Sequence, residues 1–381
     1  MKLLLFIWVW FVGFWPRTAS PTGRILLVQT AKLGDSALSL YFVERLGRQF
    51  GSVEVLCDRA NAAVYAMSPW VLHTHVFDPR EGRVAALFAT RARLAKALGK
   101  VRHVIVLQPS FPAMFLALAL RPAHSHLLRF AESGRTARRM ARRFDDVVVD
   151  AGLKRTVAYY LDFDLGPEWT RGGDFDGVHP ALAVQSPGIT KRDDELAIGL
   201  GLAAGNRIKE WPVDAFCELI CALAARFPAW AIRVFLFGAP DETERVTAFQ
   251  RGLSCAGKVA VEDWCGAVPL SGLPMTLRGL DVFVSADTAL SYFADLAGIP
   301  LVNLQGPNDD RRQVPLGRHV RLIRSPAPCA PCNSTARVRY ECPLGEPVCM
   351  SAISVDVVLE TVVEQINNHR LQRNDAALES S

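Results

Sequence analysis

Asp287 and Thr288 stand where a protein most readily arranges chemistry with an anion. They divide a β-branched and aromatic run, D-V-F-V-S-A, from a stretch at helical spacing, A-L-S-Y-F-A-D-L-A, which stops at Gly298 and is followed by a second apolar run. The pattern predicts strand, helix, strand, with the Asp-Thr pair suited to capping the helix. A helix that opens at the carboxyl edge of a parallel strand presents unpaired N–H groups and a positive dipole end. A phosphorylated ligand is therefore expected there.

Two further constellations carry chemistry. Arg135, Arg138, Arg139, Arg142 and Arg143 recur at three- and four-residue steps, so on a helix they make one basic face. That face is either a solvated surface or a patch for anionic lipid or a phosphorylated glycan. No zinc-finger, helix-turn-helix or RNA-recognition signature accompanies it, so nucleic acid is not an expected partner. Four cysteines lie together as Cys329-x2-Cys332-x9-Cys342-x6-Cys349, with Pro328, Pro331, Pro343 and Pro347 among them. They could hold zinc or an iron-sulfur cluster, form two disulfides, or remain reduced. Cys57, Cys217, Cys221, Cys255 and Cys265 fall in apolar context and read as small buried hydrophobes.

The elements that must position these groups are legible from the alternation along the chain. At 381 residues, half of them hydrophobic, the chain suits two domains. Arg24 to Gln29, Val53 to Cys57, Val101 to Leu107 and Val147 to Val149 read as strands of a first domain, residues 23–165, with a helix from Ser36 to Phe50. Residues 166–190, rich in Gly, Pro and Asp, read as a linker. A second alternating set spans 191–370: Leu196 to Leu200, a helix from Val213 to Phe227, Ile232 to Phe237, a helical stretch after Pro240, Val259 to Val261, the Asp287 unit and a helix from Val355 to Ile366. The cysteine-rich loop, 328–350, interrupts this set, and the tail from about 371 reads as disordered. The expected fold class is α/β, two Rossmann-like domains with parallel sheets and a cleft between them.

Net charge is +5, with the excess of Lys and Arg in the first half and an acidic excess in the second. The first half is thus expected to face something acidic. Leu3 to Trp15 is uncharged but too short to span a bilayer as a helix. A membrane anchor, a signal peptide and a start codon placed too early remain open for residues 1–22. Gly199-Leu200-Gly201-Leu202-Ala203-Ala204 matches a dinucleotide fingerprint, yet Asn206 and Trp211-Pro212 interrupt the helix that such a motif must open. A nicotinamide or flavin dehydrogenase is not expected.

Four blocks, in order, carry a resemblance: R-I-L-L-V-Q-T-A-K-L-G-D-S-A-L, A-G-N-R-I-K-E-W-P, L-F-G-A-P-D-E-T-E and D-T-A-L-S-Y-F-A-D-L-A-G-I-P-L-V-N-L-Q-G-P-N-D. Together they resemble glycosyltransferase family 9, the ADP-heptose lipopolysaccharide heptosyltransferases. The resemblance implies a GT-B architecture, with acceptor on the first domain and nucleotide-sugar on the second. It also implies inversion at the anomeric carbon with no metal or other cofactor required.

Carried over by position, Asp35 in K-L-G-D matches the family's catalytic aspartate, a general base; from spacing alone it reads equally as a helix cap. Lys209 in I-K-E-W-P matches the lysine that meets the donor diphosphate. Asp287 and Thr288 match the start of D-T-G-x-x-H, with Ala289 in place of glycine and Tyr292 in place of histidine. Gly238, Glu242 and Gly306 are assigned to the donor; Lys32, Gly34, Arg138 and Arg142 to the acceptor; and Cys329, Cys332, Cys342 and Cys349 to a structural zinc or iron-sulfur site. The expected partners are an ADP-heptose-like donor, an anionic lipid-linked or polysaccharide acceptor and an anionic membrane surface. The expected place is the cytoplasmic face of an inner membrane.

Overall fold

Val, Ile and Leu dominate the strands because helices cover both sheet faces: Leu26, Leu27 and Val28 are all fully buried. The computed structural model describes residues 23–77, 84–175, 178–184, 186–192, 194–334 and 338–379, with side chains described as far as Leu371. The apolar segment 1–22 lies outside the described residues, and no described helix is long and apolar enough to cross a membrane. The chain divides into two compact units between Ala183 and Val184.

In the first unit β1 (Arg24–Gln29), β2 (Val53–Cys57), β3 (Val71–Val76), β4 (Val101–Val106), β5 (His124–Phe130) and β6 (Asp146–Asp150) form one parallel sheet in the order β3-β2-β1-β4-β5-β6. In the second, β7 (Glu195–Gly201), β8 (Ala231–Leu236), β9 (Val259–Asp263), β10 (Val282–Ala286), β11 (Leu301–Gln305) and β12 (Val320–Arg324) form another, β12-β11-β10-β7-β8-β9. Counted from its own first strand, each unit has the doubly wound order 3-2-1-4-5-6. In such a sheet ligands bind at the carboxyl ends of the strands, where the order reverses beside the first strand. Those ends carry Asp35 in one unit and Lys209 and Asp287 in the other.

The structure departs from the expected elements in several places. Three strands were not legible: β3 and β12 are sheet edges with alternating polar residues, and β5 buries His126, a residue type more often found at the surface. The first helix spans Leu33–Phe50, beginning earlier than Ser36, so Asp35 lies inside its first turn; the capping position falls to Lys32, whose side chain makes no cap bond. Tyr159 and Tyr160 belong to a 3-10 turn, Thr156–Asp162. Within 166–183, Trp169 packs on Phe42 and Phe175 on Tyr41, both in the first unit. The last helix runs Val355–Glu379, through much of the tail expected to be disordered, because Leu, Gln, Arg and Ala there are good helix formers.

One cysteine reading is overturned. Cys221 and Cys255 are joined in a disulfide between the helix Val213–Arg226 and the turn after the helix Thr243–Gly252. Both lie in apolar surroundings, as expected, but their Cα atoms are 5.5 Å apart, a spacing that suits a bridge. Cys57 is the buried thiol the sequence pointed to, and burial pushes it up to about 12, so it stays protonated.

β5 places His126 against Asp146 and His103, Nδ1 to the carboxylate at 3.1 Å and Nε2 to His103 Nδ1 at 3.0 Å. Burial pushes Asp146 upward, but the bonds from His126 and the Asp164 N–H outweigh it and leave this carboxyl below its ordinary range. An ionised Asp146 fixes the proton on His126 Nδ1, so His126 Nε2 accepts from His103 Nδ1. His103 Nε2 is then the bare nitrogen, buried and unbonded among the described residues. Burial, followed by His126, His124 and Arg102, lowers His103 to about 3.

A depressed histidine has a clear linkage sign: below pH about 6.5 the unfolded chain takes up a proton that the folded one refuses until about 3. The stability it contributes is complete above pH 6.5 and is lost on acidification through that window, by up to about 1.4 kcal/mol per pH unit. Denaturant titrations should show His103→Gln losing less stability than wild type between pH 6.5 and 4. Parallel curves for the two proteins would mean the histidine does not resist protonation.

Candidate active site

The loop after β7 cannot become a dinucleotide-binding helix, because its glycines serve the sheet. A Cβ on Gly199 would strike Leu280 and Phe283, and one on Gly201 would crowd Ser285. The chain instead forms a 3-10 turn, Arg207–Lys209. Trp211, almost fully buried, anchors the segment after this turn by donating to the Ile353 carbonyl at 3.0 Å. Glu210 accepts from the Ala204 N–H at 3.1 Å and pairs with Arg245. These contacts fix the stem from which Lys209 projects.

Lys209 Nζ donates to the Asp287 carbonyl at 2.5 Å and approaches the Asp287 carboxylate at 3.3 Å. The other carboxylate oxygen accepts from the Tyr292 hydroxyl at 3.3 Å, and Asn308 Nδ2 also donates to the group. The lysine, the Asp-Thr junction, Tyr292 and the G-P-N-D turn thus meet at the carboxyl ends of β7, β10 and β11. Thr288 caps the helix Ala289–Ala297, its Oγ1 accepting from the Leu290 N–H at 3.2 Å. A hydroxyl that accepts through a lone pair keeps its own proton to donate. Ala289 begins the helix directly, so a glycine is not required for the turn. Tyr292 is a neutral donor to Asp287, a role that imidazole would share only in a protonated or suitably tautomeric form.

The remaining donor-side residues lie around this cluster. Glu242 reaches back over Gly238, where a Cβ would meet its carboxylate and the Cys265 sulfur; burial raises the Glu242 carboxyl. Gly306 leaves room for Met350 and Cys349, so its missing side chain admits the end of the cysteine-rich loop. That loop joins the site in a way the sequence did not reveal. Asn333 Nδ2 donates to Asn308 Oδ1 at 3.2 Å, the Arg339 N–H donates to Asn333 Oδ1 at 2.9 Å, and Asn206 Nδ2 donates to the Arg339 carbonyl at 2.7 Å. Asn206, Asn333 and Arg339 are the functional candidates missed. The available signal was polar residues in apolar surroundings: Asn303 in β11 is fully buried and donates to the Ala286 carbonyl at 3.2 Å.

The cysteines do not make the expected ligand set. Cys329 is exposed and Cys349 is buried in the core beside Gly306. Burial, followed by the neighbouring Cys329, Cys332 and Cys342, pushes Cys349 up to about 11, a protonated thiol. Among the described residues no group of three or more His, Cys, Asp or Glu side chains is arranged to hold a metal ion.

In the first unit Asp35 lies one turn into its helix at the carboxyl end of β1, beside the exposed Lys32 and the half-buried Gly34. It is the third residue of the helix, and the capping position is that of Lys32. The Asp35 charge lies close enough to Tyr160 to add to the effect of burial, which raises that phenol well above its ordinary value. Tyr65 shares this environment, and its hydroxyl meets Ser39 Oγ at 2.8 Å. Arg138 lies on the helix Arg135–Ala141, which joins β5 to β6, and Arg142 just after it. Met140 and Ala141 are buried beneath it, while Arg135, Arg138, Arg139 and Arg142 are exposed.

The profile of glycosyltransferase family 9 (heptosyltransferase) matches residues 91–341. The chain belongs to this family. Lipopolysaccharide heptosyltransferase 1 of Pseudomonas aeruginosa is 29% identical over 124 residues, a match that spans 32% of this chain and 32% of that protein. Among solved structures, the glycosyltransferase family 9 protein of Veillonella parvula is similar with a TM-score of 0.69 at 16% identity, covering 91% of this chain and 97% of that one. Heptosyltransferase WaaC of E. coli with ADP is similar with a TM-score of 0.63 at 19% identity, covering 90% and 99%. At such identities the structures speak for the fold: family 9 chains of this kind are α/β proteins of GT-B type, each half a Rossmann-like unit.

Proposed function

We propose that this protein moves a sugar, heptose from ADP-heptose, onto a lipopolysaccharide-core or other anionic cell-surface glycan, with inversion at the anomeric carbon and no metal drawn on. The observation that carries the proposal is the meeting of Lys209, Asp287, Tyr292 and Asn308 at the N-terminus of the helix Ala289–Ala297. An ammonium and a helix dipole at one strand end suit a nucleoside diphosphate. In the reaction the acceptor oxygen forms a bond to the anomeric carbon as the bond from that carbon to the diphosphate breaks. Asp35 takes the acceptor's proton, and Lys209 with the helix N-terminus meets the charge that leaves on the diphosphate. The family, and the ADP in the E. coli WaaC structure, support the choice of donor.

The exposed arginines of the helix Arg135–Ala141 support an acceptor that is anionic, and we extend the proposal to peripheral association with an anionic membrane at its cytoplasmic face. Tyr292 favours a second reading of the same site, in which the sugar differs from heptose, because it replaces a titratable ring with a neutral phenol. Thermal unfolding in the presence of ADP-heptose, UDP-glucose, GDP-mannose and CMP-sialic acid tests both. Protection by ADP-heptose alone is expected. Protection by another sugar nucleotide moves the assignment to that donor, and protection by none removes the donor site.

A further inference from the structure

The hydrogen bonds around Lys209 close into a ring: Lys209 to Asp287, Asp287 to Asn308, Asn308 to Asn333, Asn333 to Arg339, Arg339 to Asn206, and Asn206 through its carbonyl to the Lys209 N–H at 3.0 Å. Four members of this ring, Lys209, Asp287, Asn308 and Asn206, come from the segments after strand ends, and two, Asn333 and Arg339, from the cysteine-rich loop. The loop is stitched down independently, since the Cys332 and Asn333 N–H groups donate to the Pro307 carbonyl at 2.9 and 2.7 Å and the Asp309 N–H donates to the Asn333 carbonyl at 3.1 Å. Arg339 is therefore held at the carboxyl edge by its backbone at both ends, through its N–H and its C=O.

The ring contains two cations, and they differ in state. Lys209 faces a carboxylate, so its charge is largely balanced before any ligand arrives. A nucleoside diphosphate brings two or more negative charges to a place where Asp287 already supplies one, and Lys209 alone leaves an anionic excess. Arg339 makes no ion pair among the described residues, and its Nε is buried without a hydrogen-bond partner there. A buried guanidinium N–H without an acceptor is costly, and phosphate oxygens are the acceptors its fork fits best. Asn206 Oδ1, the next member of the ring, is likewise buried and unbonded among the described residues.

We propose that Arg339, delivered by the cysteine-rich loop, is a second diphosphate-binding cation of the donor site. This rests on the donor reading above. The loop thereby acts as part of the nucleotide site.

Titration calorimetry on the full chain tests this with ADP, GDP, UDP and CDP, each beside its parent nucleoside. Arg339→Ala leaves both backbone bonds of residue 339 in place, so melting should stay near wild type. Affinity for the bound diphosphate should fall about 10- to 100-fold, as expected for hydrogen bonds to a charged group, while the nucleoside is unaffected. Arg339→Lys should recover part of the loss. Lys209→Ala reports on the site itself. If it weakens the diphosphate while Arg339→Ala does not, Arg339 lies outside the site and the proposal is wrong, with the donor reading intact. Equal loss for diphosphate and nucleoside in Arg339→Ala would make the residue structural and also overturn the proposal. If wild type binds none of the four diphosphates, the donor reading falls and takes Arg339 with it.

Discussion

Asp35→Ala is expected to lower sugar transfer by about 10²- to 10⁴-fold, the scale of removing a general base, while donor affinity stays close to wild type. The structure sharpens this expectation by disposing of the bland alternative. Had Asp35 capped its helix, alanine would cost stability through an orphaned N–H, and lower activity would follow from unfolding. The helix instead starts at Leu33, and Asp35 sits in its first turn. Among its structural interactions is that of an acid with the helix dipole, worth about 0.3 to 1 kcal/mol. Removing it should move the melting temperature only slightly. Asp35→Asn keeps the shape and should be as inactive as alanine, so a nearly active asparagine variant would assign Asp35 a positional role.

Lys209→Ala is expected to weaken both nucleoside diphosphate binding and turnover, the latter by about 10²- to 10³-fold, as for deleting one donor aimed at developing charge. It should also cost stability. The Asp287 carboxylate is buried, and without the ammonium it keeps only Tyr292 and Asn308 among the described residues. An uncompensated buried charge is expensive. The two effects separate in the double variant Lys209→Ala with Asp287→Asn. Removing the charge on both sides should restore much of the melting temperature and none of the diphosphate affinity. Recovery of affinity in the double variant would show that Lys209 acts only by neutralising Asp287. Lys209→Arg should rescue poorly, because a planar fork cannot reproduce a point charge that reaches both a backbone oxygen and a carboxylate.

The sequence by itself determined the layered α/β class, the buried strands and the strand-helix-strand unit around Asp287. These are local matters: strands buried on both faces read as continuous apolar runs, Thr288 caps as its type suggests, and Gly298 takes the left-handed conformation that ends the helix. Motif order likewise singled out Asp35, Lys209 and Asp287, through the family resemblance of the blocks that contain them. The strands that escaped notice, β3, β5 and β12, are those in which polar residues are satisfied by a neighbouring strand or by solvent at an edge. His126 reads as surface until Asp146, on the next strand, is placed beside it.

Only the tertiary structure decided what the polar residues between the motifs do. Asn206 and Arg339 are 133 positions apart and share a 2.7 Å hydrogen bond. Cys221 and Cys255 look like any small apolar residues until a helix and a distant turn bring them within bridging distance. The spacing of the four loop cysteines does not say which of them is covered, and Cys349 is buried beside Gly306 while Cys329 is exposed. Periodicity records which face of an element is buried. It does not record which distant loop closes over a strand end, because that depends on hydrogen bonds between residues whose separation in the chain is arbitrary.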